Sequence, residues 1–110
     1  MKVLVIGGNS FIAKGIESYL STKGIALFRV DRSVLDITDE AQIEKFCNNP
    51  LLPNYDAILF AQGINPSLST KETTAEHLLA MLKVNIMGPV LLLKHLFPRM
   101  NPHGNVIFFS

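Results

Sequence analysis

Val3-Leu-Val-Ile6 runs directly into Gly7-Gly-Asn-Ser-Phe-Ile-Ala13, so an apolar segment stops abruptly in small residues and resumes with helical spacing. The apolar part is typical of a strand buried on both faces of a parallel sheet. The two glycines allow a tight turn and a close backbone approach, and Ser10 can cap the helix that follows. Free N–H groups at such a helix start form an anion site suited to phosphate. A glycine turn that merely joins a strand to a helix fits this stretch equally well.

Apolar runs and amphipathic segments alternate along the rest of the chain, which predicts an α/β domain with a doubly wound, Rossmann-like parallel sheet of about five strands. The predicted strands are 3–6, 25–30, 34–37, 55–60 and 106–109, and the predicted helices run from Phe11 to Lys23, from Thr38 or Asp39 to Phe46, and over 74–97. The 110 residues make one domain at most. We expect residues 1–110 to be an incomplete domain, because a bare apolar edge strand at 106–109 invites aggregation.

Three short segments after predicted strands form a candidate nucleotide site. Asp31 lies roughly twenty residues beyond the glycine turn, where doubly wound folds place a carboxylate that binds the ribose hydroxyls of a dinucleotide. An ordinary turn aspartate is the alternative. Ala61, Gln62 and Gly63 bring a second glycine loop to the same sheet edge, so the two loops would face each other over one ligand. Arg32 could pair with a 2′-phosphate that Asp31 repels, and the balance favours NAD, with NADP as the alternative.

The predicted helix over 74–97 is apolar nearly all round. This excess predicts a partner helix from a second copy or from missing sequence, and burial within the core is the alternative. Pro89 lacks the N–H that would bond the carbonyl of Asn85 four residues earlier. Asn85 is therefore predicted to keep a carbonyl that water or a ligand can use, unless the proline only kinks the helix for packing.

Composition argues against several function classes. Ten Lys and Arg against nine Asp and Glu give no electrostatic case for nucleic acid or an anionic membrane. Cys47 is alone, and the three histidines are far apart, so neither disulfides nor a metal site is predicted. The apolar segments are too short or too interrupted for a signal sequence or a membrane span. We expect a cytoplasmic protein.

These residues together resemble the short-chain dehydrogenase/reductase family over the whole of 1–110. The glycine loop is similar to the family's Gly-x-x-Gly-Phe-Ile-Gly form, Leu35-Asp-Ile-Thr-Asp39 to its adenine-contacting Asp-Val-Thr-Asp segment, and Phe60-Ala-Gln-Gly63 to its Asn-Asn-Ala-Gly segment. Asn85 with Gly88 is the closest match, and there the family's asparagine holds a water for proton relay. The resemblance thus implies a catalytic role for Asn85 and assigns these residues to the cofactor: Gly7, Gly8, Asn9, Ser10, Phe11, Ile12, Asp31, Arg32, Asp36, Ile37, Ala61, Gln62 and Gly63.

The family's chemistry also needs a serine and a Tyr-x-x-x-Lys pair, which lie beyond its fifth strand. Ser110 falls one residue short of that serine. Tyr19 and Lys23 match the pair in spacing, but they end the first helix at the sheet edge opposite the cofactor, so we treat them as a coincidence. The resemblance implies hydride transfer between a nicotinamide cofactor and a carbonyl or alcohol substrate, with this chain inactive alone. A nucleotide-binding module without chemistry, and a fragment of a sugar-nucleotide reductase or epimerase, are the alternatives.

Overall fold

The computed structural model of the protein describes residues 1–7, 11–62 and 69–108, without the side chains of residues 11 and 12. In this part of the chain, four parallel strands lie in the order β2-β1-β3-β4. The fold is α/β and Rossmann-like, as the sequence predicts. The elements in chain order are β1 (Lys2–Ile6), α1 (Phe11–Ser21), β2 (Ala26–Val30), α2 (Glu40–Cys47), β3 (Tyr55–Phe60), α3 (Ala75–Leu82), a π-helical segment (Lys83–Met87), α4 (Gly88–Leu96), a 3₁₀ turn (Phe97–Arg99) and β4 (Met100–Phe108).

Both faces of the sheet are buried, because successive residues of a strand point to opposite sides. On β1, Leu4 and Ile6 join the larger core cluster, and Val3 and Val5 join the smaller one. The larger cluster includes Ile43 and Cys47 of α2 and Leu92 and Leu96 of α4, whereas the smaller one includes Ala13 of α1. Helices on both faces explain the continuous apolar strands and confirm the doubly wound arrangement.

The strands end level with one another. Ile6 pairs with Val30 on one side and with Phe60 on the other. Two further hydrogen bonds extend the ladder past the strand ends, from Gly7 N to the Val30 carbonyl and from Ala61 N to the Ile6 carbonyl, each 2.9 Å long. Residues 7, 31 and 61 therefore emerge together at the carboxyl edge of the sheet, as parallel strands with short loops require.

The strand predicted over 34–37 is wrong. The carbonyl of Asp31 accepts hydrogen bonds from Val34 N and Leu35 N, so the chain turns immediately after β2. A second turn follows, in which Asp36 Oδ1 accepts from Thr38 N. Leu35 and Ile37 are buried and Asp36 is not, and this alternation imitates a strand although the backbone between the two turns is too short to form one.

Residues 101–105, which precede the predicted strand 106–109, lie inside β4 as an irregularity. The pairing with β3 shifts between Tyr55, which faces Met100, and Ala57, which faces Asn105. The extra residues of β4 form an excursion in which His103 has a φ of 65°. Such extra residues bend a strand without ending its pairing. Residues 101–105 therefore interrupt β4, which starts before them and not after them.

Asp56 ties three strands together at the amino edge. Its Oδ2 accepts from Lys2 N at 2.7 Å, and its Oδ1 accepts from Asn101 Nδ2 at 2.9 Å. The hydrogen bond from Lys2, followed by that from Asn101, lowers the pKa of Asp56 below its ordinary value of 3.8. A carboxylate whose pKa is lower in the folded than in the unfolded state stabilises the fold above its unfolded pKa, and this stabilisation is lost as the pH falls through the folded pKa.

We therefore expect Asp56→Asn to lower the free energy of unfolding at neutral pH. The difference in this free energy between the variant and the wild type should become smaller in acid. Urea unfolding of both proteins at a series of pH values measures that difference. It should be constant above about pH 5 and shrink as the pH falls below the unfolded pKa of about 4. A difference that keeps its size down to the acid transition would show that the charge of Asp56 contributes nothing.

The predicted helix over 74–97 is continuous but is built of α3, the π-helical segment and α4. Thr74 caps it, with its side chain accepting from His77 N. Contrary to the expectation from the sequence, its length and apolar composition over Ala75–Arg99 satisfy the usual criteria for a membrane span, although a single helix of this kind is weak evidence for one. An apolar face is exposed along it, consisting of Leu78, Leu79, Leu82, Ile86, Met87, Val90 and Phe97. The excess of apolar surface is present, and the second copy that would cover it stays a prediction.

Candidate functional site

A cleft of about 550 Å³ opens at the carboxyl edge of the sheet, between the end of β2 and the helix formed by α3 and the π-helical segment. Cavities of this size hold cofactors and drug-sized ligands. Its lining comes from four parts of the chain that are distant in sequence. The lining residues are Ile6, Gly7, Val30, Asp31, Arg32, Ser33, Leu35, Asp36, Ile37, Thr38, Ala61, Gln62, Ala80, Lys83 and Val84.

Gly7 lies where the backbones after β1 and β3 touch. Its φ is +85°, and a Cβ added to it would lie 2.6 Å from Gln62 N and 2.8 Å from the carbonyl carbon of Ala61. These obstacles are backbone atoms, so they cannot rotate away as a side chain can. Both the backbone conformation and the close approach require glycine, and the two predicted loops are in direct contact at this point.

Asp31 is held in a defined orientation by its own turn. Its Oδ1 accepts from Ser33 N at 2.8 Å and from the Ser33 hydroxyl. Such side-chain to backbone bonds are typical of aspartate turns and restrict the carboxylate before any ligand arrives. Arg32, also in the lining, is exposed. The end of β2 thus presents a fixed carboxylate with an exposed guanidinium next to it.

Asp36 is oriented in the same way. Its Oδ1 accepts from the Thr38 hydroxyl at 2.6 Å and from Thr38 N at 2.9 Å. The hydrogen bond from the Thr38 side chain, then that from Thr38 N, lowers the pKa of Asp36, with Arg32 adding a smaller charge effect. Asp36 is therefore ionised at neutral pH and can accept a hydrogen bond from a ligand amine in the cleft.

Ile37 forms the cleft wall against the long helix, and the contact depends on Gly88. A Cβ added to Gly88 would lie 2.8 Å from both Cδ1 and Cγ1 of Ile37, and 3.0 Å from its carbonyl oxygen. The start of α4 therefore packs backbone-first against the 35–38 segment. This contact joins the wall that carries Asp36 to the helix that carries Lys83.

Gly88→Ala is expected to push Ile37 into the cleft and to weaken nucleotide binding more than it weakens the fold. The obstacles are two side-chain carbons of the buried Ile37 and its carbonyl oxygen, so overpacking should lower the free energy of unfolding by about 1 to 3 kcal/mol. Titration with NADH, next to urea unfolding, measures the two effects. Gly15→Ala, a helical site with nothing within 4 Å of the added Cβ, is the control. Equal affinity of Gly88→Ala and wild type would contradict this role of Ile37.

The π-helical segment corrects the prediction about Asn85. The N–H of Gly88 bonds the carbonyl of Lys83, five residues earlier, so the hydrogen-bond register has slipped by one residue before Pro89 is reached. In this register the residue five positions after Val84 is Pro89, which has no N–H. The carbonyl that loses its helical donor is therefore that of Val84 and not that of Asn85. The residue Asn85 also has an interaction of its own.

Gln62 supplies the missing donor. Its Nε2 lies 3.2 Å from the Val84 carbonyl oxygen, across 22 residues of sequence. Its Oε1 is buried and has no hydrogen-bond partner in the described part of the chain. The opposite orientation of the amide would place two acceptors against each other, so the bond to Val84 fixes which atom faces which way.

The structure brings together all seven of the predicted cofactor residues that it describes in full. The cleft is lined by Gly7, Asp31, Arg32, Asp36, Ile37, Ala61 and Gln62. Gly8, Asn9, Ser10 and Gly63, like Ser110, lie outside the described residues, as do the side chains of Phe11 and Ile12. Asn85 is exposed on the helix and is not in the cleft lining, so its catalytic role stays a prediction.

Other lining residues escaped sequence reasoning. Ala80, Lys83 and Val84 have the spacing of one helix face, but apolar periodicity alone assigned this helix to the core. Ser33 and Thr38 follow Asp31 and Asp36 by two positions, the spacing of aspartate turns. That repeated Asp-x-Ser/Thr pattern is the signal that could have placed both hydroxyl residues at the site.

Two other features lie beside the cleft or away from it. A second cavity of about 660 Å³ lies along the edge of β2 and shares Val30 and Asp31 with the cleft. Asp31 is the one predicted cofactor residue among its described lining residues, and the rest of the lining is formed largely by Leu27, Phe28, Tyr55 and the loop after α2. Tyr19 and Lys23 lie at the end of α1, with the ammonium 5.5 Å above the ring. The backbone after α1 leads into the start of β2, so this pair lies at the amino edge, away from the cleft, as predicted.

Comparison with known proteins supports the fold. No protein-family model matches the sequence, and no curated protein matches it significantly. Among solved structures, a small-chain dehydrogenase in complex with NADPH is similar at a TM-score of 0.86 and 20% identity, covering 100% of this chain and 50% of that one. A variant of a Serratia marcescens short-chain dehydrogenase/reductase is similar at 0.81 and 20% identity, over 97% and 56%.

A third similar structure is a short chain dehydrogenase family protein from Francisella tularensis subsp. tularensis SCHU S4, with a TM-score of 0.80 and 19% identity over 99% of this chain and 50% of that one. The chain thus spans about half the length of the solved structures it matches. The described part of this chain has a Rossmann-like α/β fold similar to that of these short-chain dehydrogenases/reductases.

Proposed function

We propose that this chain supplies the cofactor site of an NAD(P)-dependent oxidoreductase of the short-chain dehydrogenase/reductase type. The observation that carries the proposal is the cleft at the carboxyl edge, where Gly7 presses against the backbone of Ala61 and Gln62 and Asp31 stands at the end of β2. In doubly wound sheets a ligand binds at this edge, where the winding reverses. The fold of an NADPH-binding protein over the whole of this chain supports the same interpretation.

The described residues fit the adenosine half of a dinucleotide. The carboxylate of Asp31 would accept hydrogen bonds from the two ribose hydroxyls, and its turn through Ser33 holds it in place for them. Asp36 would accept a hydrogen bond from the exocyclic amine of adenine, and Ile37, Ala80 and Val84 would hold the ring from the cleft lining. The absence of a Cβ at Gly7 lets the turns after β1 and β3 meet at the sheet edge, where the pyrophosphate would be held.

NAD is the proposed cofactor, because the Asp31 carboxylate repels a 2′-phosphate at the position where it binds hydroxyls. Arg32 and Lys83 line the same cleft and would favour the phosphate of NADP. We expect the Asp31 carboxylate to determine the preference for NAD, because its turn fixes it at the strand end while Arg32 is exposed to solvent.

The reaction proposed is hydride transfer between the cofactor and a carbonyl or alcohol substrate. The bound nicotinamide would accept or donate the hydride. The part of this chain in the reaction is to bind and orient the cofactor, with Asn85 proposed to hold a water for proton relay. The cytoplasmic location and a second copy on the exposed helix face belong to this proposal.

Calorimetric titration of the chain with NAD, NADP, ADP-ribose and nicotinamide mononucleotide tests the proposal. We expect binding of NAD, weaker binding of NADP, and an affinity for ADP-ribose close to that for NAD, because the described cleft residues contact the adenosine half. Nicotinamide mononucleotide should give no heat at the same concentrations. No heat from any adenine nucleotide with a folded chain would contradict the cofactor site.

A further inference from the structure

We infer that Gln62 is a positioning residue of the cleft, whose side-chain amide holds the π-helical segment in the hydrogen-bond register that turns Lys83 and Val84 toward the ligand. The inference rests on the proposed function for its ligand but not for its structural part. Its starting observation is the 3.2 Å hydrogen bond from Gln62 Nε2 to the Val84 carbonyl.

The carbonyl of Val84 lacks its usual helical donor. In an ordinary α-helix the carbonyl of Val84 would accept from Gly88, but Gly88 N–H bonds Lys83 instead. The next N–H along the chain is missing, because Pro89 is an imino acid, and Pro89 is itself among the most deeply buried residues. The Val84 carbonyl is part-buried, and a carbonyl withdrawn from water without a donor is costly. Gln62 removes this cost, and it can do so only while the π register exposes that carbonyl to it.

The π-helical segment sets the rotation of α3 relative to α4. An α-helix turns by about 100° per residue, so the extra residue of a π-helical segment rotates everything before it relative to everything after it. After the segment, Gly88 packs on Ile37 and Leu92 and Leu96 are fully buried in the core, so α4 cannot rotate. Loss of the register must therefore rotate α3, and with it the side chains of Ala80 and Lys83 that line the cleft.

Gln62 also contacts the glycine turn after β1. The backbone of Gln62 is the closest neighbour of the position where Gly7 would carry a Cβ. One residue thus contacts the turn after β1 through its backbone and the long helix through its side chain. Gln62 stands where the resemblance has alanine in Asn-Asn-Ala-Gly, a residue that could not reach the helix.

The test is a double-mutant cycle that combines Gln62→Met with Pro89→Ala in the full chain. Gln62→Met removes the donor at nearly constant volume, and Pro89→Ala returns a backbone N–H to the helix. In the wild-type background Gln62→Met should raise the unfolding constant by about 10- to 100-fold, the range expected for a buried polar group left unpaired. In the Pro89→Ala background the effect should be below about threefold, because the helix can then satisfy its own carbonyls. Pro98→Ala, at the 3₁₀ turn, is the control background and should not reduce the effect.

The register itself is read by NMR. A scalar coupling across the hydrogen bond joins Gly88 N to the carbonyl carbon of Lys83 in the wild type and should move to that of Val84 in the double variant. NADH affinity should then stay reduced in the double variant by about tenfold or more, although its stability is restored, because the helix wall that carries Ala80 and Lys83 has rotated relative to the cleft. A packing role for Gln62 would give the opposite pattern, with stability unrestored.

Equal effects of Gln62→Met in both proline backgrounds would overturn the inference, and so would an unchanged Gly88–Lys83 coupling in the double variant. If Gln62→Met alone does not fold, recovery of the fold in the double variant supports the inference and continued unfolding refutes it. The unfolding and NMR measurements need no ligand. A wild type that binds no dinucleotide would therefore refute the proposed function while leaving the register result intact.

Discussion

Gly7→Ala is expected to produce the largest loss of stability of any single methyl addition at the site. The added Cβ would lie within 3.0 Å of three backbone atoms of Ala61 and Gln62, and the φ of +85° disfavours any L side chain. The left-handed conformation costs about 1 to 2 kcal/mol and overpacking about 1 to 3 kcal/mol, so the free energy of unfolding should fall by roughly 2 to 5 kcal/mol. Urea unfolding measures this loss, and NADH titration should show that binding is lost with it.

Two other glycines separate the contributions. Gly24 has a φ of +70° with open space around it, so Gly24→Ala should cost only the conformational part, about 1 kcal/mol. Gly15 is helical and also open, and Gly15→Ala should stabilise the protein by about 0.5 to 1 kcal/mol. A cost at Gly7 no larger than that at Gly24 would mean that the two loops move apart easily, and the contact could not define the cleft.

Asp31→Asn is expected to produce the largest loss of NAD affinity with the fold intact. The amide keeps an oxygen that can accept from Ser33 N, so the turn survives. The negative charge that accepts from the ribose hydroxyls is lost, and hydrogen bonds to a charged group are worth about 1.5 to 3 kcal/mol, or roughly 10- to 100-fold in affinity. NADP should lose less, because its phosphate is no longer repelled, and the preference for NAD should narrow or reverse.

The matched control is Asp39→Asn, the same chemical change outside the cleft. Asp39 caps α2 by accepting from Ala41 N and Gln42 N, and asparagine caps helices nearly as well. Titrations with NAD and NADP should therefore match the wild type. Loss of NAD affinity in Asp39→Asn as large as in Asp31→Asn would show that net charge, not the ribose contact, sets the affinity.

The parts of the site at strand ends could be predicted from sequence, because parallel strands place their carboxyl ends at one edge. Gly7, Asp31 and Ala61 follow apolar runs of similar length, and they do emerge at the same level. The strand Tyr55–Phe60 could even be predicted to the residue, since Pro53-Asn54 precede it and the small and polar residues Ala61-Gln-Gly63 follow it.

Sequence patterns misjudged the parts where two kinds of local structure share one periodicity. Leu35 and Ile37 are buried on either side of Asp36, as in a strand, yet aspartate turns hold the backbone. Apolar spacing reports which side chains are buried and does not report the backbone hydrogen bonds. The existing preference of Asp for turns was the better signal there.

Contacts between distant residues were beyond sequence reasoning. The effect of Pro89 on Asn85 was derived for an α register, and nothing in the local sequence specifies that the register slips at Lys83. The bond from Gln62 and the contact between Gly88 and Ile37 depend on how the long helix docks on the sheet. These tertiary contacts determine the helix wall of the cleft.

The central place of β1 in the sheet has a consequence for synthesis on the ribosome. β1 is paired on both sides, but β3, its second partner, is made about fifty residues later. At typical translation speeds of roughly 5 to 20 residues per second, the apolar strand Val3–Ile6 waits several seconds before β3 exists. Nascent-chain binding by holdase chaperones should therefore be strongest before Phe60 leaves the exit tunnel.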